Sequence, residues 1–245
     1  MTKHIAPLPD HDGSLLLREL NHRVNNELTS TICTISAKAV ESDEVAVKAA
    51  LLDVVDLLHG YADVHKALRM PDPGHLTDAA RYLRHLCSSI TKYRLDRQDR
   101  LSIRLSCSAD DLRLEGERCW KLGLVVSELL TNVARHARFD DRHPEAKVKL
   151  LLAGNVVRCA VSDNGSASDL FVRGRGLTIV GELASSLGGR VHASCAAEGS
   201  SFLITFPLTE SEQRAASATH VVLKRRKVRR SYRLQVPRAD HAAAG

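Results

Sequence analysis

No Cys-x-x-Cys pair and no His/Cys cluster at metal-ligand spacing occurs in the 245 residues, although six cysteines are present: Cys33, Cys87, Cys107, Cys119, Cys159 and Cys195. Their scatter excludes a zinc framework, and their small or apolar neighbours read as buried thiols in a reducing cytosol. No apolar run approaches the roughly 20 residues a membrane-spanning helix needs. The opening MTKHIAPLPDHDG lacks the apolar core of a secretory leader. Aromatics are scarce at 4%, but 44% apolar residues suffice for an ordinary core. The expectation is a cytoplasmic protein without a transmembrane segment.

Acid is what the C-terminus lacks. From Ala218 onward, eight basic residues (Lys224, Arg225, Arg226, Lys227, Arg229, Arg230, Arg233, Arg238) face one acid, Asp240. That stretch carries +7 of a chain total of +6, which leaves −1 for the first 217 residues. The body is therefore not a basic nucleic-acid surface. Contact with nucleic acid or an anionic membrane is open to the tail alone, where a solvated charge run is the plainer reading.

Along the chain, residues 1–13 are Pro, Gly and Asp rich and read as irregular. A helical stripe follows in Leu16, Leu17, Leu20, Val24, Leu28, Ile32 and Ile35, within a helix from Ser14 to about Val40. VESDE breaks it, with Ser42 as the expected N-cap and Asp43 and Glu44 in the next first turn. A second helix runs to about Met70, with Val47, Leu51, Val54, Val55, Leu58 and Tyr61 facing one way, until MPDPGH stops it. One helical hairpin leaves its apolar side uncovered, whereas two make a four-helix bundle, so residues 14–70 predict a homodimer. Beyond PDPG the pattern is mixed. Helices are expected at 77–94, 117–138 and 177–187, and strands at 101–106, 112–114, 147–152, 156–162, 190–194 and 201–206. Ala153-Gly154-Asn155 is the hairpin turn between the fourth and third from last of these strands. Residues 75–208 thus read as an α+β sandwich, with helices over one face of a mixed sheet, and 209–245 as a basic tail.

Four segments carry chemistry. In ELNHRVNNEL, His22 lies about 200° around the helix from both Leu20 and Val24, on the polar side. Alone, it is an ordinary surface histidine. Glu19, one turn earlier, can orient the imidazole or accept its proton, and Asn26, one turn later, can support the ring or an incoming phosphate. In ELLTNVARHA, Glu128, Asn132 and His136 recur every four residues, with Arg135 beside them, on a helix buried by Leu122, Val126, Leu129, Leu130 and Val133. Either this row is a solvated face, or Glu128 and Asn132 offer oxygens to Mg²⁺ while Arg135 or His136 meets triphosphate oxygens. VSDNG puts Asp163 just past a strand, with Gly165 letting the backbone turn; the same triplet is also a common turn. A carboxylate there can accept the exocyclic amine of adenine. In GRGLTIVGELASSLGG, Gly174 and Gly176 let backbone amides approach a phosphate at a helix N-terminus. An ATP pocket together with an exposed imidazole points to phosphoryl transfer to histidine.

At these residues the chain resembles the sensor histidine kinases, in particular the HWE-type and related subgroup whose phosphoacceptor box reads like HRxxN. The resemblance spans about Leu15 to Leu208: ELNHRVNNEL as that box, SELLTNVARHA as the N box, SDNG and GRGLTIV as the glycine boxes, and GSSFLITFPL as the last strand. It implies a dimerisation and phosphotransfer hairpin followed by a Bergerat-type ATP-binding domain of the GHKL superfamily. By the resemblance His22 is phosphorylated, Asn132 holds Mg²⁺, Asp163 recognises adenine, and Gly165, Gly174 and Gly176 shape the pocket. The chain departs from the family in having Ala167 in place of the second glycine of DxGxG. Eight residues, Ser166–Arg173, separate the two glycine boxes, and no WxE element is present.

The implied function is an ATP- and Mg²⁺-dependent histidine kinase of two-component signalling. It hands its phosphoryl group to an aspartate of a separate response regulator and receives its signal from a partner such as a separate sensor protein. A catalytically degenerate phosphotransfer scaffold is the first alternative, favoured by Ala167 and the short lid. A GHKL-type serine kinase of the anti-sigma class is the second.

Overall fold

The computed structural model describes residues 12–72, 74–95, 101–108, 112–140, 142–166, 175–196 and 199–218. Gly174, Ala167 and the basic run beyond residue 218 lie outside the described residues, as does the side chain of Leu17.

Two antiparallel helices come first, α1 (Asp12–Glu41) and α2 (Val45–Ala67). Their seam is made by Ile32, Val55 and Ala62, flanked by Leu28, Ile35 and Leu58. The rest of the apolar pattern is not covered by the hairpin itself. Leu16 and Leu20 on α1 are 66% and 58% exposed, and Val47, Val54 and Tyr61, seven residues apart on α2, are 41–42% exposed. The turn between the helices differs from the sequence expectation. Glu44, not Ser42, is the N-cap, and α2 has no acid in its first turn. The reason is local: the Ser42 hydroxyl donates to the Glu44 carbonyl at 3.4 Å, so it is not an acceptor for α2 amides, and the helix begins at Val45.

The second unit is built on a five-stranded sheet. Its strands are β2 (Ser102–Cys107), β4 (Glu145–Ala153), β5 (Val156–Asp163), β6 (Arg190–Ala196) and β7 (Gly199–Pro207), in the order β2-β4-β5-β7-β6. β2 and β4 run parallel and every other pair antiparallel. Alternation selects the buried face: Ala146, Val148 and Leu150 on β4, Val157, Cys159 and Val161 on β5, and Phe202, Ile204 and Phe206 on β7. Three helices pack into the core that this face forms: α3 (Ala79–Leu95), α4 (Gly116–His136) and α5 (Arg175–Ser186). The β4–β5 hairpin turns at Gly154, whose φ of +61° a side chain would strain. A further antiparallel pair, β1 (Leu76–Asp78) with β3 (Arg113–Glu115), closes the linker side. β1, three residues long, is too short to show an alternation in sequence. The fold is thus a helical hairpin followed by an α+β sandwich of GHKL type.

Residues 210–218, in the stretch read from sequence as tail, form a helix, α6, that docks on the second unit. Its Glu212 is wholly buried, and the carboxylate accepts from Arg118 Nε at 3.0 Å and from the Glu115 and Thr209 amides at 2.9 Å each. Arg118 also donates to the Leu187 and Pro207 carbonyls and lies over the Phe206 ring. This clasp draws the residues after β7 onto the start of α4.

The cysteines divide. Cys87, Cys119 and Cys159 are buried, and burial pushes the Cys87 and Cys119 thiols up to about 12. Cys33 and Cys195 are exposed, against the expectation of buried thiols throughout, because one sits on the outer side of α1 and the other on the edge strand β6.

Candidate functional site

The polar row of the long helix follows from what its other side buries. Cys119, Leu122, Val125, Val126, Leu129, Leu130 and Val133 of α4 are all in the core, while Glu128, Asn132 and Arg135 point away from it and His136 ends the helix. Glu128 and Asn132 are half-buried, and Arg135 and His136 are exposed at the helix end. Two other segments come up against this row. Glu128 Oε1 rests on Gly176 near the start of α5, so closely that a side chain on residue 176 would overlap it. Two turns further along, Gly165 packs beneath Ala137 and Arg138, where a Cβ would stand 2.8 Å from the Ala137 methyl and 3.1 Å from the Arg138 carbonyl oxygen. The carbonyl of Arg138 accepts from the Ser166 amide at 2.7 Å and from its hydroxyl at 3.1 Å. Gly176 thus meets the α4 row at Glu128, and the Asp163–Gly165 turn packs on the residues that follow the helix, with Asn132 between these two points in sequence.

Asp163 ends β5 half-buried. Its Oδ1 accepts from the Gly165 amide at 2.9 Å, which folds the turn back on the carboxylate. Burial raises the Asp163 carboxyl above the usual aspartate range, while bonds from Gly165 and Ser200 and the charge of Arg142 pull the other way. Neither Asn132 nor Glu128 makes a side-chain hydrogen bond to another described residue.

Sequence reasoning missed the supports of this turn. Asn164, read only as a turn residue, accepts from the Glu145 amide at 2.8 Å and donates to the His143 carbonyl at 2.9 Å, stitching the turn to the start of β4. Ser200 reaches Asp163 because β5 and β7 pair with Ser162 opposite Ser201. Gly199, with φ of +150°, lets the chain pass against the Asp163 carbonyl. Each contact spans about 20 residues or more, and the only available signal was the glycine that opens the last strand.

The phosphoacceptor candidates lie apart from this pocket. His22, Glu19 and Asn26 are exposed on α1. Glu19 is engaged by Arg23, whose Nε donates to Oε1 at 2.9 Å, not by His22. Both side chains of that pair are mostly solvated, so it is worth only about 0.3–0.5 kcal/mol and opens readily.

The donors fit a nucleotide with a hard cation. Two side-chain oxygens one turn apart, a half-buried acceptor at a strand end and a bare Cα at a helix start suit Mg²⁺ held by few protein oxygens alongside phosphates. No group of three or more His, Cys, Asp or Glu suited to an all-protein metal cage occurs among the described residues.

Residues 19–94 match the family model described as "Histidine kinase", and residues 91–200 match "Histidine kinase-like ATPase domain". Together these two matches span residues 19–200, so the chain is similar to the histidine kinases over most of its length. The subgroup resemblance carried by ELNHRVNNEL agrees with the first of these matches. A curated relative, Blue-light-activated histidine kinase 2 of Erythrobacter litoralis (strain HTCC2594), is 26% identical over 208 residues, covering 80% of this chain and 58% of that protein. The chain therefore spans little more than half the length of that kinase. Among solved structures, the histidine kinase domain of the Erythrobacter litoralis EL346 blue-light activated histidine kinase is similar at 20% identity and a TM-score of 0.49, over 78% of this chain and 98% of that one. Acinetobacter baumannii histidine kinase AdeS is similar at 18% identity and a TM-score of 0.46, over 77% and 97%. Among the described residues, no helix is long and apolar enough to cross a membrane.

Proposed function

We propose that this chain is a homodimeric, ATP-dependent protein-histidine kinase of the cytoplasm. It phosphorylates His22 and passes the phosphoryl group to an aspartate of a response regulator. One observation carries the reading: Gly176 meets α4 at Glu128 and the Asp163–Gly165 turn packs at the end of the same helix, in a chain whose hairpin presents His22 to solvent.

In this mechanism Asp163 accepts the exocyclic amine of adenine, and the turn held by Asn164 and Ser200 fixes the base. Asn132 and Glu128 hold Mg²⁺, which when bound offsets charge on the phosphates. Gly176 leaves room for the phosphates at the start of α5, with Gly174 preceding it in sequence, and Arg135 or His136 faces the end of the triphosphate. The neutral imidazole of His22 attacks the γ-phosphorus in line. The P–N bond forms as the bond to the ADP oxygen breaks, and the imidazole proton leaves to Glu19 or solvent. Asn26 supports the ring. The exposed apolar residues of α1 and α2 supply the dimer face, which suits the four-helix bundle expected from residues 14–70. The domain division 14–70, 75–208 and 209–245 belongs to the same proposal, with α6 attached to the ATP-binding unit.

The test is incubation of the purified protein with γ-labelled ATP and Mg²⁺, beside His22→Ala and Asn132→Ala. Acid-labile label lost in both variants is the expected result. Acid-stable label would favour the serine kinase. No label together with no nucleotide binding would favour the phosphotransfer scaffold, which the Ala167 substitution and short lid make the second reading.

A further inference from the structure

Arg18 stands one helical turn before His22, and its guanidinium leaves the hairpin. Nη2 donates to the Pro71 carbonyl at 3.1 Å, and Nη1 lies 3.5 Å from Asp72 Oδ1. Pro71 and Asp72 are the joint between α2 and the ATP-binding unit. On its other side the same joint presses on Gly116, the first residue of α4, where a Cβ would stand 3.2 Å from each of the two carbonyl oxygens. One short segment thus touches both the helix of His22 and the helix of Asn132. The polar row of α4 begins about 18 Å further along that rod.

In this placement α1 packs on α2, and neither α4 nor α5 forms a packed interface with α1. In-line transfer needs reacting atoms about 3–3.5 Å apart, so the ATP-binding unit must shift relative to α1 before its nucleotide meets the His22 of the same chain. The joint is held imperfectly. Arg18 Nε is buried without a hydrogen-bond partner, a penalty that is relieved when the side chain swings into water. Asp72 is 80% exposed, so its ion pair adds little and the bond to the Pro71 carbonyl is the stronger of the two Arg18 contacts, added to the packing of the end of α2 (Val64, Ala67, Leu68) on the ATP-binding unit.

We propose that Arg18 is a positioning residue: it clamps the Pro71–Asp72 joint in the resting placement, and the ATP-binding unit reaches His22 when the Arg18–Pro71 bond opens. The proposal rests on the kinase reading above. Any stabilisation present in the resting placement and absent in the transfer placement slows the transfer, so loss of the clamp speeds it.

The test uses the full chain with Arg18→Ala, Arg18→Lys and Gly116→Ala. It measures the initial rate of acid-labile labelling against ATP concentration, and amide hydrogen exchange of the peptide covering residues 68–78. Arg18→Ala is expected to raise kcat about three- to tenfold, the range of one lost hydrogen bond, with KM for ATP unchanged. Arg18→Lys should fall between it and the wild type, since an ammonium can still reach the Pro71 carbonyl. Gly116→Ala should act in the same direction as Arg18→Ala, because its Cβ pushes the joint away. Exchange across residues 68–78 should rise in both Ala variants. An unchanged or reduced kcat, or a parallel change in KM, overturns the proposal, as does unaltered exchange. If the wild type takes no label at all, the kinase reading fails instead, and the exchange measurement alone decides whether Arg18 clamps the joint.

Discussion

Asp163 holds a carboxylate where burial opposes its charge, and two effects of one substitution separate there. Asp163→Asn removes a charge that the fold disfavours while keeping an acceptor for the Gly165 amide, so thermal stability should stay level or rise. Nucleotide affinity should fall about 10- to 100-fold, the usual weight of a bond to a charged acceptor, as calorimetric titration with an ATP analogue would measure. A matched fall in both would contradict the assignment. The pH dependence has a definite sign. The folded carboxyl titrates above its unfolded counterpart, so between the two values the folded state binds more protons, and this group's contribution to stability falls as pH rises through the folded value. Nucleotide binding runs the opposite way, weakening as pH falls through that value, and at a higher pH than an ordinary aspartate would give. Asp163 and Asn132 were legible in sequence because their residue types stand in a recognisable order. Arg142, Asn164 and Ser200 were not, because nothing local marks a residue whose partner is brought to it by strand register.

The clasp between α4 and α6 belongs to the scale of elements. Arg118 and Glu212 lie 94 residues apart, yet the pair holds the start of α4, the end of α5 and the end of β7 together. Arg118→Ala leaves the buried Glu212 carboxylate without its counter-charge and should destabilise the ATP-binding unit by about 3–5 kcal/mol. Urea unfolding would measure this as a lower midpoint at unchanged slope. Removing residues 209–245 should also lower the midpoint, since it strips Glu212 from the Arg118 guanidinium. If the tail were a mere appendage, the truncated chain would unfold as the full one does. α6 escaped sequence reading because it is short and polar along most of its length, and its anchoring acid looks like any surface glutamate until the sheet is assembled. The long helices α1 and α4 were legible because their apolar spacing repeats over many turns.

At the scale of the whole molecule, the hairpin covers only part of its own apolar pattern. Val47, Val54 and Tyr61 recur every seven residues along α2, and Leu16 and Leu20 stand a turn apart on α1. Light scattering should give a dimer, and the double variant Leu20→Glu with Val54→Glu should give a monomer with unchanged helical circular dichroism. A monomeric wild type would remove the four-helix bundle from the proposal. The amino-acid order by itself displayed most of the helices and strands, where the hairpin ends, and the acids, amides and glycines proposed for a nucleotide. Periodicity, turn residues and residue chemistry are local properties, so a single chain displays them. Only the tertiary structure decided that Glu128 meets Gly176, that Asn164 and Ser200 brace Asp163, that Glu212 is buried under Arg118, and that Arg18 grips the joint at Pro71. Those contacts depend on sheet order, strand register and the packing of helix ends, which no stretch of sequence encodes alone.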